Sequence, residues 1–172
     1  MNTSKILKDN YYLSSSISFF KSNFENRLKF LKKKNFLFNE ISDFINNCID
    51  SSKNVFIFCA GNSLISKNIK SNKILIKEID EKYQEKHCEN SQYVSEIDTD
   101  QLTNCDTIII ADIEHQSNPT LNLLNLSQTI KDDAKIIILS KNLVWMVFIK
   151  ILKSFFNFSP NKNNFLPSSY LN

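Results

Sequence analysis

Apolar residues recur at Ile17, Phe20, Phe24, Leu28 and Leu31, steps of three and four that align them along one side of a helix spanning Ile17 to Lys34. The opposite side carries Arg27, Lys29, Lys32, Lys33 and Lys34, and the plainer account of these is a solvated face rather than a phosphate-binding one. A second helical rhythm follows through Leu37, Ile41, Phe44, Ile45 and Cys48, whereas Met1 to Ser15 shows no pattern. From Asn54 the rhythm changes. Short, nearly unbroken apolar runs occur at Val55 to Cys59, Ile74 to Ile76, Tyr93-Val94, Thr107 to Ala111 and Ile136 to Leu139. Such β-branched runs suit strands buried on both faces, as in a parallel sheet covered by crossover helices. Leu64 to Lys70, Asp80 to His87 and Pro119 to Ile130 are long enough to be those helices, and Pro119 suits a first helical turn.

The expectation is therefore an α/β fold, a doubly wound and mainly parallel Rossmann-like sheet with helices on both faces and an N-terminal helical lead. Residues 1–50 are expected to supply the tail and helices that pack on a main domain of residues 51–172. The stretch from Leu143 to Phe156, apolar with Lys150 and Lys153 inside it, reads more plainly as a core helix with snorkelling lysines than as a helix lying on a membrane surface. Beyond Phe158 the chain is rich in Asn, Ser and Pro and reads as irregular.

A chain of 172 residues, 42% hydrophobic and 23% charged, is able to bury one sizeable core. The formal charge of +3 is too small to imply a nucleic-acid partner. Cys48, Cys59, Cys88 and Cys105 include no CxxC pair, so neither a zinc site nor a disulfide framework is expected. No run of about 18 uncharged apolar residues occurs, and Met1 opens no signal-like segment. A cytoplasmic protein without a membrane span is the expectation. The single glycine, Gly61, is the most unusual entry in the composition, because turns elsewhere must use Asn, Asp and Ser.

In doubly wound sheets ligands bind at the carboxyl ends of the strands, near the reversal of strand order. Gly61 follows the first strand directly, in Phe58-Cys59-Ala60-Gly61-Asn62-Ser63, where a tight turn lets backbone approach a ligand; an ordinary turn is the alternative. Glu78 ends the second strand, where a carboxylate accepts hydrogen bonds from ribose hydroxyls, with Asp80 as a rival or a helix cap. Asp98, past the third strand, is placed either to accept from an adenine amino group or to form an Asx turn. Asp112, Glu114 and His115 follow the fourth strand, so Asp112 and His115 are candidates for a general base or substrate contact. Helix capping and exposure are the simpler account for Glu114 and His115. Ser63 lacks the flanking glycines of a nucleophile elbow, and His87 beside Cys88 has no third metal ligand near it.

These residues resemble the class I, Rossmann-like S-adenosylmethionine-dependent methyltransferases. Cys59 to Ser63 looks like a degenerate glycine-rich first motif in which only the central glycine survives. Glu78 matches the family's ribose-holding acid, Asp98 resembles the acid near the adenine, and Ala111-Asp112 resembles the segment beside the methionine moiety. Asn164-Phe165-Leu166-Pro167-Ser168, after the Trp145-containing stretch, is similar to a later family segment. The resemblance runs from about Phe19 onward. It implies S-adenosylmethionine as cofactor, held by Cys59, Ala60, Gly61, Asn62, Glu78, Asp98 and Ala111, and a small-molecule or glycan-type methyl acceptor. The chain is expected to lack the family's C-terminal edge strands. The competing readings are a non-catalytic binding or assembly module with a degenerate cofactor site and a nicotinamide-dependent oxidoreductase. The missing dinucleotide glycines weigh against the oxidoreductase.

Overall fold

The computed structural model describes residues 11–50, 53–84 and 90–140, all but Ser140 within the unit that runs to Leu139. Three helices lead: α1 (Ser14–Ser22), α2 (Phe24–Lys33) and α3 (Asn35–Cys48). Five strands follow, β1 (Asn54–Cys59), β2 (Lys73–Glu78), β3 (Ser91–Tyr93), β4 (Thr107–Ala111) and β5 (Lys135–Ile138). The helices among them are α4 (Thr99–Thr103) and α5 (Pro119–Thr129). The sheet has the order β3-β2-β1-β4-β5 and every pairing is parallel, so the expected doubly wound, Rossmann-like α/β architecture is present. The strand order reverses between β1 and β4.

The register carries the side chains of interest to one edge. Cys59, the last residue of β1, pairs with Glu78 on one side and with Ala111 on the other. Three of the expected cofactor residues thus form a single row at the carboxyl end of the sheet.

Alternate residues of the central strands feed two apolar layers, as a sheet covered on both faces requires. Phe56, Phe58, Leu75, Ile108 and Ile110 pack with Phe20 of α1, Leu102 of α4 and Leu126 of α5. Val55, Ile57, Ile74, Ile76 and Ile109 face the other way, towards Leu31 of α2 and Phe38 and Ile45 of α3. The lead helices therefore change faces. α1 belongs to one layer and α3 to the other, so the chain between them rounds the edge of the sheet.

Several expectations change in detail. The single helix from Ile17 to Lys34 is two, broken at Asn23, whose side-chain amide donates to the Phe19 carbonyl at 3.0 Å. The helix starts earlier than expected, at Ser14, and the patternless lead is structured from Tyr11: Tyr12 forms an antiparallel bridge with Gln116. The segment after β1 is a 3-10 helix, Ser63–Asn68, and that after β2 only a 3-10 turn, Glu81–Tyr83. Asp80 caps this turn by accepting from the Lys82 amide, the capping alternative. Helix α5 matches expectation, with Pro119 in its first turn and the Asn118 side chain accepting from the Leu121 amide. His87, Cys88, the Leu143 to Phe156 stretch and Asn164 to Ser168 lie outside the described residues.

Ile57 is fully buried between β2 and β4. Ile57→Ala is expected to destabilise the fold by about 2 to 5 kcal/mol, read as a lower urea midpoint with an unchanged m-value.

Candidate functional site

Gly61 sits immediately after β1 with φ of +64°, a conformation in which a Cβ is strained. The turn is held by Asn62. Its side-chain oxygen accepts from the Ala60 amide at 3.1 Å, and its amide nitrogen donates to the Ala111 carbonyl at 3.1 Å, tying the ends of β1 and β4 together. Asn62 thus does structural work in a position expected to meet cofactor. The Cys59 carbonyl receives the Ile79 amide and the Tyr12 hydroxyl, at 3.1 and 2.9 Å, and the Cys59 thiol is buried.

Glu78 meets this turn directly. Its Oε1 accepts from the Gly61 amide at 2.5 Å and from the Ile79 amide at 2.9 Å. Its Oε2 is buried and has no hydrogen-bond partner among the described residues. Burial pushes the carboxyl up to about 8, against the pull of the two amide bonds, with Asp112 adding to the rise and Arg27 opposing it. A carboxyl with one oxygen satisfied and one idle is costly in an interior.

The lone glycine and the acid do converge, yet no space opens between them. A Cβ built on Gly61 would lie 2.6 Å from the Phe20 ring and 3.3 Å from Arg27 Nε. The Arg27 guanidinium stacks on the Phe20 ring at 4.7 Å, and its terminal nitrogen reaches towards the Gly61 carbonyl at 3.4 Å. Arg27 is therefore no member of a solvated basic face, a correction to the sequence expectation, while Lys29, Lys32, Lys33 and Lys34 are exposed as expected. Its helix rounds the sheet edge, and this tertiary path is invisible in the periodicity of the segment. The Tyr83 hydroxyl donates to the Phe20 carbonyl at 2.9 Å and secures the corner from the β2 side. For a nucleoside cofactor the donor set fits, because the glycine turn offers close backbone and Glu78 offers an idle acceptor. The volume does not fit while Phe20 and Arg27 are in place.

Asp112 lies behind this cluster rather than at a mouth. It is fully buried, its Oδ1 accepts from Gln116 Nε2 at 2.8 Å, and that same nitrogen donates to the Tyr11 hydroxyl at 2.7 Å. Asn122 donates to Gln116 Oε1 at 3.0 Å and closes the network. Burial raises the Asp112 carboxyl to about 6, with the hydrogen bond from Gln116 pulling it down. Its Oδ2 has no partner among the described residues. His115 is half-buried, 3.3 Å from Ser16 Oγ through Nδ1 and edge-on to Phe20. The sequence placed Asp112 and His115 beside the crevice but missed Tyr11, Tyr12, Phe20 and Gln116. The aromatic pair ahead of the first helix was their only signal.

Asp98 stands apart from the cluster. It caps α4, accepting from the Asp100 amide at 3.1 Å, and lines an open hollow of about 570 Å³ with Gln92, Val94 and Gln101. Neither Gly61 nor Glu78 borders that hollow. Among the described residues no group of three His, Cys, Asp or Glu side chains is placed to hold a metal ion, and no helix is long and apolar enough to cross a membrane. Neither a family model nor a curated protein matches the chain.

Two outcomes follow from the geometry. Gly61→Ala is expected to cost about 2 to 4 kcal/mol, from the left-handed φ and the clash with Phe20, measured by urea denaturation. The second concerns pH. The folded value of Glu78, about 8, lies above its ordinary 4.5, so the folded chain keeps a proton that the unfolded chain has lost between those values. The Glu78 contribution to stability is therefore fully present below about pH 4.5 and is lost as pH rises towards 8; Asp112 acts in the same sense between 3.8 and about 6. Between pH 6.5 and 8 the unfolding free energy should fall by up to about 1.4 kcal/mol per pH unit, and in Glu78→Gln this slope should flatten.

Proposed function

We propose that this chain is the cofactor-binding core of an S-adenosylmethionine-dependent methyltransferase, its nucleoside crevice closed by its own N-terminal helices. The observation that carries the reading is the Glu78 carboxyl at the end of β2, joined through Oε1 to the lone glycine turn and left with Oε2 unpartnered. That acid stands where a doubly wound sheet receives a ribose, and an idle buried acceptor matches a hydroxyl donor. The row Glu78, Cys59, Ala111 at the strand ends supports the same placement. The acceptor is of the small-molecule or glycan class, by the resemblance of the motifs. Methyl transfer draws most of its acceleration from holding nucleophile and methyl in line, so few reacting side chains are needed. Of the two candidates after β4, half-buried His115 is the one placed to meet an acceptor hydroxyl, since Asp112 is fully buried. A cytoplasmic setting accords with the free Cys48, Cys59 and Cys105.

A second reading is favoured by one specific observation. Phe20, with no exposed surface, fills the space in front of Gly61, as expected for a binding or assembly module that has given up its cofactor.

Isothermal titration with S-adenosylmethionine and S-adenosylhomocysteine separates the two. The methyltransferase reading expects saturable heat; folded protein silent at millimolar ligand overturns it and leaves the assembly module. Glu78→Ala should weaken binding by about 1 to 3 kcal/mol, the loss of a buried acceptor. Unchanged affinity would transfer the ribose contact to Asp80.

A further inference from the structure

Five of the 21 basic residues, Arg27, Lys29, Lys32, Lys33 and Lys34, fall within eight positions, and no acid occurs between Asn26 and Asn39. Five positive charges exceed the chain's whole excess of +3, so the net positive charge belongs to this stretch rather than to the surface at large. Arg27 turns inward to the Phe20 ring, whereas the four lysines are exposed and make no ion pair among the described residues. A solvated face accounts for the lysines. It does not account for what stands among them: Phe30 is 49% exposed, Phe36 62% and Leu37 45%. Single hydrophobic residues scattered over a surface are ordinary, but three large ones gathered in one acid-free stretch mark an interaction surface.

The local backbone explains why they face outward. α2 ends at Lys33, α3 begins at Asn35, and Lys34 joins them: its amide donates to the carbonyls of Phe30 and Leu31, each at 3.1 Å, and its carbonyl accepts from the Leu37 amide at 2.9 Å. On either side of this corner Leu31 and Phe38 are buried in the apolar layer beneath α2 and α3. With those two side chains holding the corner to the sheet, helical spacing turns Phe30, Phe36 and Leu37 away from it. Lys34 Nζ stands 5.8 Å from the centre of the Phe36 ring, so charge and ring are presented together. Further along α3, Glu40 and Asp43 are exposed, and the cationic surface ends there.

We propose that this α2–α3 corner is a docking surface for an anionic lipid bilayer, with Phe30, Phe36 and Leu37 entering the headgroup boundary and Lys29, Lys32, Lys33 and Lys34 meeting acidic headgroups. The proposal is independent of the reading of the strand ends.

Charge complementarity selects this occupant. A second copy of the chain meeting the same corner sets lysine against lysine with no acid to answer. A nucleic acid satisfies the lysines and offers bases to the two rings, but Leu37 has no π-face to stack, and the Phe36 ring already has an ammonium beside it. An acidic bilayer surface takes both kinds of side chain at once, since lysines stay in the wet headgroup layer while apolar side chains sink towards the acyl chains. Such a surface attracts each lysine by an amount worth about fivefold in affinity. The attraction fades within a Debye length, so docking is reversible and salt-sensitive.

The test is flotation of the full chain with phosphatidylcholine vesicles made with and without phosphatidylserine. Binding is expected only where phosphatidylserine is present, and it should fall as salt is raised. Lys29→Ala combined with Lys33→Ala should weaken it by about 25-fold, at about fivefold per lysine. Phe36→Ser should weaken it by about fivefold through lost apolar insertion. Lys70→Ala, at an exposed lysine whose amide bonds to Asn46 near the far end of α3, should leave it unchanged. All of these side chains are exposed, so the variants keep the buried core, and charge and ring are tested separately. Equal flotation with both vesicles, indifference to Phe36→Ser, or an equal loss in Lys70→Ala overturns the proposal. Absence of flotation also overturns it: capture of a single-stranded RNA then assigns the corner to nucleic acid, and self-association abolished by Phe36→Ser assigns it to a second copy.

Discussion

The Glu78 carboxyl, seated on the Gly61 amide at 2.5 Å, is the constraint around which the carboxyl edge of this sheet is arranged. The contact needs a residue without a Cβ, because φ is +64° and an aromatic ring lies against the α-carbon. It also needs a dry environment, and that dryness holds the acid in its neutral form at neutral pH. A single hydrogen bond thus links the one glycine of the chain, the protonation of a buried acid and the position of the lead helices.

Burial of charge-capable groups at this edge is unusually dense. Glu78 and Asp112 each leave one oxygen idle, and Arg27 leaves Nε idle. A core built for stability alone places apolar atoms at such positions, since an unmet polar group costs more than a hydrogen bond returns. The Tyr11, Gln116, Asn122 network shows that the fold satisfies buried polar atoms elsewhere within a few residues of the same edge. Among the described residues, Glu78 Oε2 and Asp112 Oδ2 lie idle at strand ends, where doubly wound sheets meet their ligands, while Gln101 Oε1 on α4 and Asn125 Nδ2 on α5 are idle away from them.

The architecture was legible because its strands are unbroken apolar runs, which only a sheet buried on both faces explains. Turn chemistry was legible at Pro119, and capping was one of two readings left open at Asp80 and Asp98, whose partners are local. Arg27 was misplaced because amphipathic spacing locates a residue on its own helix and is silent on what that helix crosses. Tyr11 and Tyr12 were missed because two residues carry no periodicity, and their bridging partner Gln116 is a hundred residues further along the chain. The expected helix after β2 shrank to one 3-10 turn, a case in which polar composition allows a helix without requiring one.

Strand period and hydrophobic runs are local properties, so the alternation of elements, the parallel sheet and the places of Cys59, Glu78 and Ala111 at strand ends could be read along the chain, whereas their alignment in one row came from the register. Whether the crevice in front of that row is open was decided only in three dimensions. Phe20 and Arg27 fill it because α1 and α3 bury apolar stripes against opposite faces of the sheet, and the chain that joins them has to pass over the edge. That path is a property of packing between distant segments, which no window along the chain contains.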